Sequence, residues 1–463
     1  MMKRMKNYYM KSAIILAFCF LTIGCKKFLN VVPSTLIVNP STISDFREML
    51  NSDSLATCNF TFADLMSDDV YMTLFARTES YANAYMWRKN IWTANESDFS
   101  YNSAYTRILQ LNIILAKLPL VKSKTDAEEK VKRILLAEAK VHRAWYYLQL
   151  ANIYGQDFTS GLAEDKPATP LILVPAEGEK PSRATIQVVY NQIIKDLQEA
   201  LATDELAVMG NTIIQPGRAA AHTLLARTYL YMANYEKALE HANAALELKS
   251  TLQDYNKLQA YPVTLLDQSK NPEVMMGKVG VEADYERIFI RQIEGDFEFV
   301  ESLGNNDKRR TLAFEGSYNT FSSNASITTF NYSIAVPEAM LIKAECLARK
   351  KDVNAALIEI NKLRKNRIEN PKDLTATADN ILQTVLLERR KELFLHGGLR
   401  LFDLKRLNRE PALQVTLKRY ERDPWTGEIL KELSALEPNS PRYLMEIAPK
   451  IISINKKIVP NPR

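Results

Sequence analysis

The chain has 463 residues, of which 46% are hydrophobic and 25% charged. This globular composition excludes a disordered chain, a collagen repeat and a disulfide scaffold. Glycine is scarce, 14 residues in all, so a fold rich in tight β-turns is disfavoured and a helical one expected. The net charge of +6 gathers at the start: Lys3, Arg4, Lys6 and Lys11 precede any acid, and without them the chain carries +2. That balance gives no support to a nucleic-acid partner.

After the basic start, residues 12–23 (SAIILAFCFLTI) form an apolar run that ends at Gly24 and Cys25. A basic stretch, a short apolar run and a small residue define a secretory signal. The run is too short to cross a bilayer core, which needs about 20 residues. With Cys directly after Gly24, the segment resembles a bacterial lipoprotein signal, whose mature N-terminal Cys is acylated. Thr22 replaces the usual Leu three residues before the Cys, and Leu21 lies one further out. The resemblance makes 1–24 a signal peptide and Cys25 the lipidation site; the alternative is an ordinary secreted protein cut near Gly24. Cys58 and Cys346 remain as a pair in an oxidising envelope or as two buried thiols. The neighbours Leu347 and Ala348 favour burial for Cys346. No CxxC occurs, so a cysteine-based metal or redox site is not expected.

Residues 26–40 read as an extended tether containing Pro33 and Pro40. Helices are expected at 41–52 and at 97–118, the latter ended by Pro119. Thr125 with Glu128 fits a capping box that opens a helix running to Gly155. A Pro-rich loop at 159–182 precedes helices at 185–203, 217–233 and 235–249. In that last pair Ala219, Ala226, Tyr229, Leu230, Tyr235, Ala238, Ala242 and Ala245 fall within about one 34-residue unit, the tetratricopeptide pattern. It recurs at 337–369, with Asp352 capping the second helix. Such units bury their apolar faces only by stacking. The expected fold is therefore all-α, built of stacked tetratricopeptide-like helix pairs with large irregular loops. Residues 251–335 differ: Tyr, Phe, Asn, Ser and Thr dominate with weak periodicity. A long irregular insertion in a compact domain is usually functional.

The segment 386–410 (LLERRKELFLHGGLRLFDLKRLNRE) looks like the signature of the SusD/RagB family, roughly E-R-x-x-E-L-x-x-E-G-x-R-x-x-D-L-x-R. This chain supplies Glu388, Arg389, Glu392, Leu393, Gly397, Arg400, Asp403, Leu404 and Arg406. His396 stands where the family usually has Glu, a departure that bears on one structural ion pair. CKKFLNVVP, SDDVY (67–71), the helical segments of the N-terminal half and the closing Asn-Pro also resemble the family, so the likeness spans nearly the whole mature chain. It divides the chain into a signal peptide (1–24), an N-terminal region (25–250), the insertion (251–335) and a C-terminal region (336–463).

The resemblance implies a nutrient-binding lipoprotein of Bacteroidetes, held to the outer membrane through Cys25 and facing the exterior. Its implied partners are an oligosaccharide or peptide ligand and a SusC-like, TonB-dependent transporter, with no nucleic acid. By family position the ligand contacts are Asp69, Arg77, Tyr85, Trp87, Trp92 and Asn95, then Tyr285, Phe299, Tyr318 and Phe321. For any one of these aromatics the alternative is a loop-anchoring core role. Trp87 and Trp92 are five apart, about 140° around a straight helix, so only a loop turns both to one cleft. On that reading either Trp→Ala change weakens binding with little loss of thermal stability.

No catalytic role is expected. His142, His222, His241 and His396 have neither HExxH nor zinc-finger spacing. No phosphate loop or nucleophile elbow appears, and no Asp-rich loop of EF-hand type, so neither cofactor nor metal is expected. Asp68 and Asp69 are adjacent, whereas a glycosidase pair spans a sugar. Glu388 and Glu392 lie four apart on one helical face beside arginines, an arrangement for ion pairing and not for acid catalysis. Two rival classes remain: an envelope helical-repeat scaffold that binds other proteins, and a lipid-anchored glycoside hydrolase.

Overall fold

The computed structural model describes residues 40–73, 79–159, 162–175, 180–259, 271–280, 293–315, 320–321, 331–423 and 426–463. Thr42–Arg463 form one compact unit. The expected signal peptide, residues 1–24, and Cys25 lie outside the described residues, and everything below concerns that unit. About 53% of the structure is helical.

The long helices appear where caps and periodicity place them. They are α1 (Phe99–Lys117), α2 (Asp126–Tyr154), α3 (Ile186–Leu201), α4 (Arg218–Tyr231), α5 (Tyr235–Leu248), α6 (Val336–Arg349), α7 (Val353–Lys365) and α8 (Ile381–Glu392). Side-chain caps start five of them: Asp98, Thr125, Thr185, Asn234 and Asp352 each accept a backbone N–H of the first turn. The box at Thr125 is only half formed. Its hydroxyl accepts from Glu128 N, but the Glu128 carboxylate turns to Lys124 N at 2.6 Å. The helices pack in succession, α1 on α2, α2 on α3, and so on to α6, which touches both α7 and α8. Ala219, Ala226, Leu230, Ala238, Ala242 and Ala245 are wholly buried, so the small-residue stripe lies at the helix contacts.

The all-α expectation needs one correction, because short strands cross the fold. Strand β1 (Thr57–Cys58) runs parallel to β4 (Val279–Gly280), and β3 (Val274–Met276) lies antiparallel to β8 (Ile334–Ala335). Strands β2 (Val70–Met72), β5 (Ile293–Gly295), β7 (Thr320–Phe321) and β6 (Phe314–Glu315) form an antiparallel sheet in the order β2-β5-β7-β6. A hairpin, β9 (Leu417–Arg422) and β10 (Ile429–Leu436), completes the set. Cys58 and Cys346 are buried and free, and burial pushes both thiols up to about 12.

The signature segment ties the unit together. Gly397 and Gly398, at φ +65° and +89°, turn α8 into α9 (Leu399–Leu407). A Cβ on Gly398 would come within 2.6 Å of the Ala63 Cβ, so only glycine fits that approach. Across the turn Arg389 Nε donates to Asp403 Oδ2 at 2.7 Å, and Arg406 donates to Asp403 and, through both terminal nitrogens, to Glu345. His396, in the usual Glu position, pairs its Nδ1 with the Phe394 carbonyl at 2.9 Å.

Burial alone would raise the Asp403 carboxyl, but Arg389 and Arg406 outweigh it and hold it at about 2, below the ordinary 3.8. Because the folded value lies below the unfolded one, this contribution to stability is complete above about pH 4 and is lost as pH falls through about 2. Melting temperature is expected to drop across that window, and Asp403→Asn should flatten the slope. An equal slope in the variant would assign acid unfolding to other carboxylates.

Candidate functional site

The acidic turn before β2 is clamped by the signature helices. Arg400 grips Asp68 with two bonds of 2.7 Å, while Arg390 donates to Asp69 Oδ1 at 2.9 Å and to the Asp68 carbonyl at 2.7 Å. Burial would raise Asp68, but the two arginines drive it far below its ordinary range. Asp69 moves the other way, raised by burial and by the Asp68 charge against the pull of Arg390. From the other side buried Arg419 on β9 donates to the carbonyls of Leu65, Ser67, Val70 and Tyr85. Its guanidinium also lies 3.8 Å from the Tyr85 ring centroid and 4.2 Å from that of Trp87. The turn is thus rigid on both sides.

This rigidity positions β2 against β5. In register, Val70 faces Gly295, Tyr71 faces Glu294, and Met72 faces Ile293. Burial pushes Glu294 up to about 7. Tyr71 meets Phe297 edge-on at 5.8 Å, and the Arg422 guanidinium lies 4.7 Å from Phe297 and 5.6 Å from Tyr420. Phe297, Tyr420 and Arg422 are all half-buried. Beside them opens a cleft of about 140 Å³ lined by Asp68, Asp296, Glu298, Arg390, Tyr420 and Arg422. Aromatic rings next to fixed carboxylates and guanidinium groups suit a ligand with apolar CH faces and many hydroxyls.

The sequence-expected residues divide into three groups. Asp69, β5 and β7 come together on this sheet, uniting two stretches of chain more than 200 positions apart. Phe299 lies just beyond β5 but is wholly buried under Arg390 and against Phe394. Arg77, Tyr285 and Tyr318 lie outside the described residues, as does the side chain of Phe321. The window 85–95 goes elsewhere. Tyr85 and Trp87 are buried beneath Arg419, and the Trp87 Nε1–H donates to the Met66 carbonyl at 2.9 Å. Trp92, 8% exposed, packs on Phe62 and donates to the Glu446 carbonyl at 2.9 Å. Asn95 is exposed.

As placed, Tyr85, Trp87 and Trp92 are buried, which fits the loop-anchoring alternative, in which a Trp→Ala change costs stability. A second cleft of about 480 Å³, between Lys89, Asn90, Glu446, Ile452 and Lys456, borders the Trp92 contact.

Phe297, Tyr420 and Arg422 were not singled out in the sequence. The available signal was the RYERDPWTGEILKEL stretch, whose Asp-Pro and Thr-Gly steps mark a hairpin carrying Arg and Tyr on one strand. Among the described residues no group of three or more His, Cys, Asp or Glu is arranged to hold a metal, and no helix is long and apolar enough to cross a membrane.

Residues 27–230 match a SusD-like family described as starch-binding and associating with the outer membrane, and residues 298–463 match the SusD family. Solved structures share the fold over nearly the whole chain. A putative sugar binding protein from Bacteroides vulgatus is 22% identical, covering 92% of this chain and 99% of its own, with a TM-score of 0.72. SusD superfamily proteins from Bacteroides thetaiotaomicron and Bacteroides fragilis are each 20% identical over 91% of this chain and 100% of theirs, with TM-scores of 0.73 and 0.71. At these identities the likeness establishes the fold. No curated protein matches the chain.

Proposed function

Because the chain belongs to the SusD/RagB family, we propose that it captures an oligosaccharide at the outer-membrane surface without chemical turnover. It then passes the ligand to a TonB-dependent, SusC-like transporter. The observation that carries this reading is the match of 27–230 to a family described as starch-binding and outer-membrane associated. The lipid on Cys25 anchors the protein on the exterior face, and α4–α5 with α6–α7 act as tetratricopeptide-like pairs behind the binding face. The buried alanine stripe and the Asp352 cap support that pairing.

Ligand specificity falls to the Phe297–Arg422–Tyr420 face, backed by buried Tyr71, with its rings for sugar CH surfaces and its guanidinium for hydroxyls. Capture without turnover fits the acidic turn, because one guanidinium, that of Arg390, touches both Asp68 and Asp69. A hydrolase needs two carboxyl groups on opposite sides of a sugar, about 5–9 Å apart.

Phe297→Ala and Arg422→Ala are each expected to weaken glycan binding about tenfold, or 1.4 kcal/mol, with the melting temperature nearly unchanged. Calorimetric titration of whichever oligosaccharide binds the wild type checks this. Full affinity in both variants would move the site off this face; binding of peptides alone would replace the ligand class.

A further inference from the structure

Helix α9 and the two residues after it carry Lys405, Asn408 and Arg409 to the place where α2 ends. A cleft of about 270 Å³ opens there between Asp157, Lys405, Asn408, Arg409, Asn439 and Tyr443. It shares no lining residue with the cleft beside Phe297.

Three buried side chains of this cleft have bonding capacity to spare. Lys405 is 5% exposed, and its Nζ donates to the Asn152 and Gly155 carbonyls, which leaves one of its three N–H donors over. Among the described residues no acid pairs with it. Asp157, the one carboxylate lining the cleft, is held by Arg409 at 3.0 Å and by the Thr159 hydroxyl at 2.8 Å. Asn408 is 1% exposed; its Oδ1 accepts from Val415 N at 3.4 Å, which fixes the amide, and its Nδ2 has no partner within 3.5 Å. The Tyr443 hydroxyl lies beside that amide and also has no partner at this distance. We propose that this cleft is a second ligand site, taking the carboxylate of a small organic acid no larger than one sugar ring.

The unused groups select the ligand. All three are donors, whereas an ionised carboxylate only accepts, at about four lone-pair positions. A buried cation without a counter-ion is costly, so Lys405 favours an anion. Hydrogen bonds to an ionised group are roughly twice as strong as neutral ones, which ranks an acid above a neutral sugar. The Asp157 carboxylate at the cleft wall works against a doubly charged phosphate. Size follows from volume, because sites for drug-sized ligands begin at about 300 Å³.

Burial pulls the Lys405 ammonium down to about 7, so the test is run at about pH 6, where the amine is charged. Saturation-transfer NMR titrates the full protein with sodium acetate and sodium glucuronate, and with their neutral counterparts acetamide and glucose. Saturable binding of a carboxylate, at least tenfold tighter than its neutral counterpart, is expected.

Asn408→Asp keeps the Oδ1 acceptor but replaces the donor by a like charge, and Tyr443→Phe deletes only the hydroxyl. Each should weaken carboxylate binding at least tenfold, as expected for a lost hydrogen bond to a charged group. Phe297→Ala should leave it unchanged. Tyr443→Phe should melt with the wild type, because its hydroxyl gives up no bond, yet lose the rise in Tm that the carboxylate confers. Oligosaccharide affinity should be the same in both cleft variants, so the two sites are read separately. Equal binding of a carboxylate and its neutral counterpart, or carboxylate binding untouched by both variants, would overturn the site. So would the absence of saturable binding by either carboxylate, which would leave the donors to water alone.

Discussion

Trp87→Ala is expected to destabilise the protein by about 3–5 kcal/mol, the range for emptying a large aromatic from a core. Trp87 is wholly buried, and its indole N–H is the donor to the Met66 carbonyl. Its loss opens a cavity and leaves that carbonyl without the donor. It also strips one of the two aromatic faces from Arg419, the residue that gathers the Leu65, Ser67, Val70 and Tyr85 carbonyls. The damage therefore reaches the acidic turn and β2, so ligand affinity should fall together with stability. Chemical denaturation measures it. A variant within about 0.5 kcal/mol of wild type, typical of a surface change, would return Trp87 to the ligand face.

Arg309→Met should be at least as severe. Arg309 is 1% exposed and holds Asp307 by two side-chain bonds of 2.9 and 2.7 Å. Its Nη1 also lies 2.8 Å from Glu388 and 3.0 Å from Glu392. Glu388 keeps Arg364 and Glu392 keeps Arg367, but Asp307 loses its only side-chain cation among the described residues. Removing one partner from a buried ion pair typically costs about 3–5 kcal/mol, and here three carboxylates lose one. The expected result is failure to accumulate as folded protein, or a large fall in the denaturation midpoint. Arg309→Lys should recover only part, because an ammonium lacks the planar fork. A midpoint unchanged in Arg309→Met would show that the network is dispensable.

The two changes illustrate what the sequence could convey. Helices with a polar cap and an apolar stripe were legible, since both signals lie within one element: Thr125 before α2, Asp352 before α7. Strands of two or three residues carry no measurable period, so the sheet joining β2 to β5 and β7 was not legible. The charges of the signature segment were legible as ion-pairing groups within that segment. Arg389 and Asp403 act that way, whereas Arg400 reaches Asp68, 332 positions away.

The aromatic window 85–95 was ambiguous for a similar reason. Whether Trp87 faces solvent or core depends on Arg419, which approaches from a distant hairpin. The cleft at Lys405, Asn408 and Tyr443 likewise exists only once α9 meets the end of α2. Local chemistry was legible, then, and long-range pairing was not.

The central claim is capture without turnover. Calorimetric titration of the purified protein against a panel of oligosaccharides, with chromatography of the same samples after prolonged incubation, tests it most directly. The account predicts saturable binding of at least one oligosaccharide at one site per chain, with every sugar recovered at its original length. Shortened products, or a panel that leaves the protein unbound while a protein partner saturates it, would contradict it.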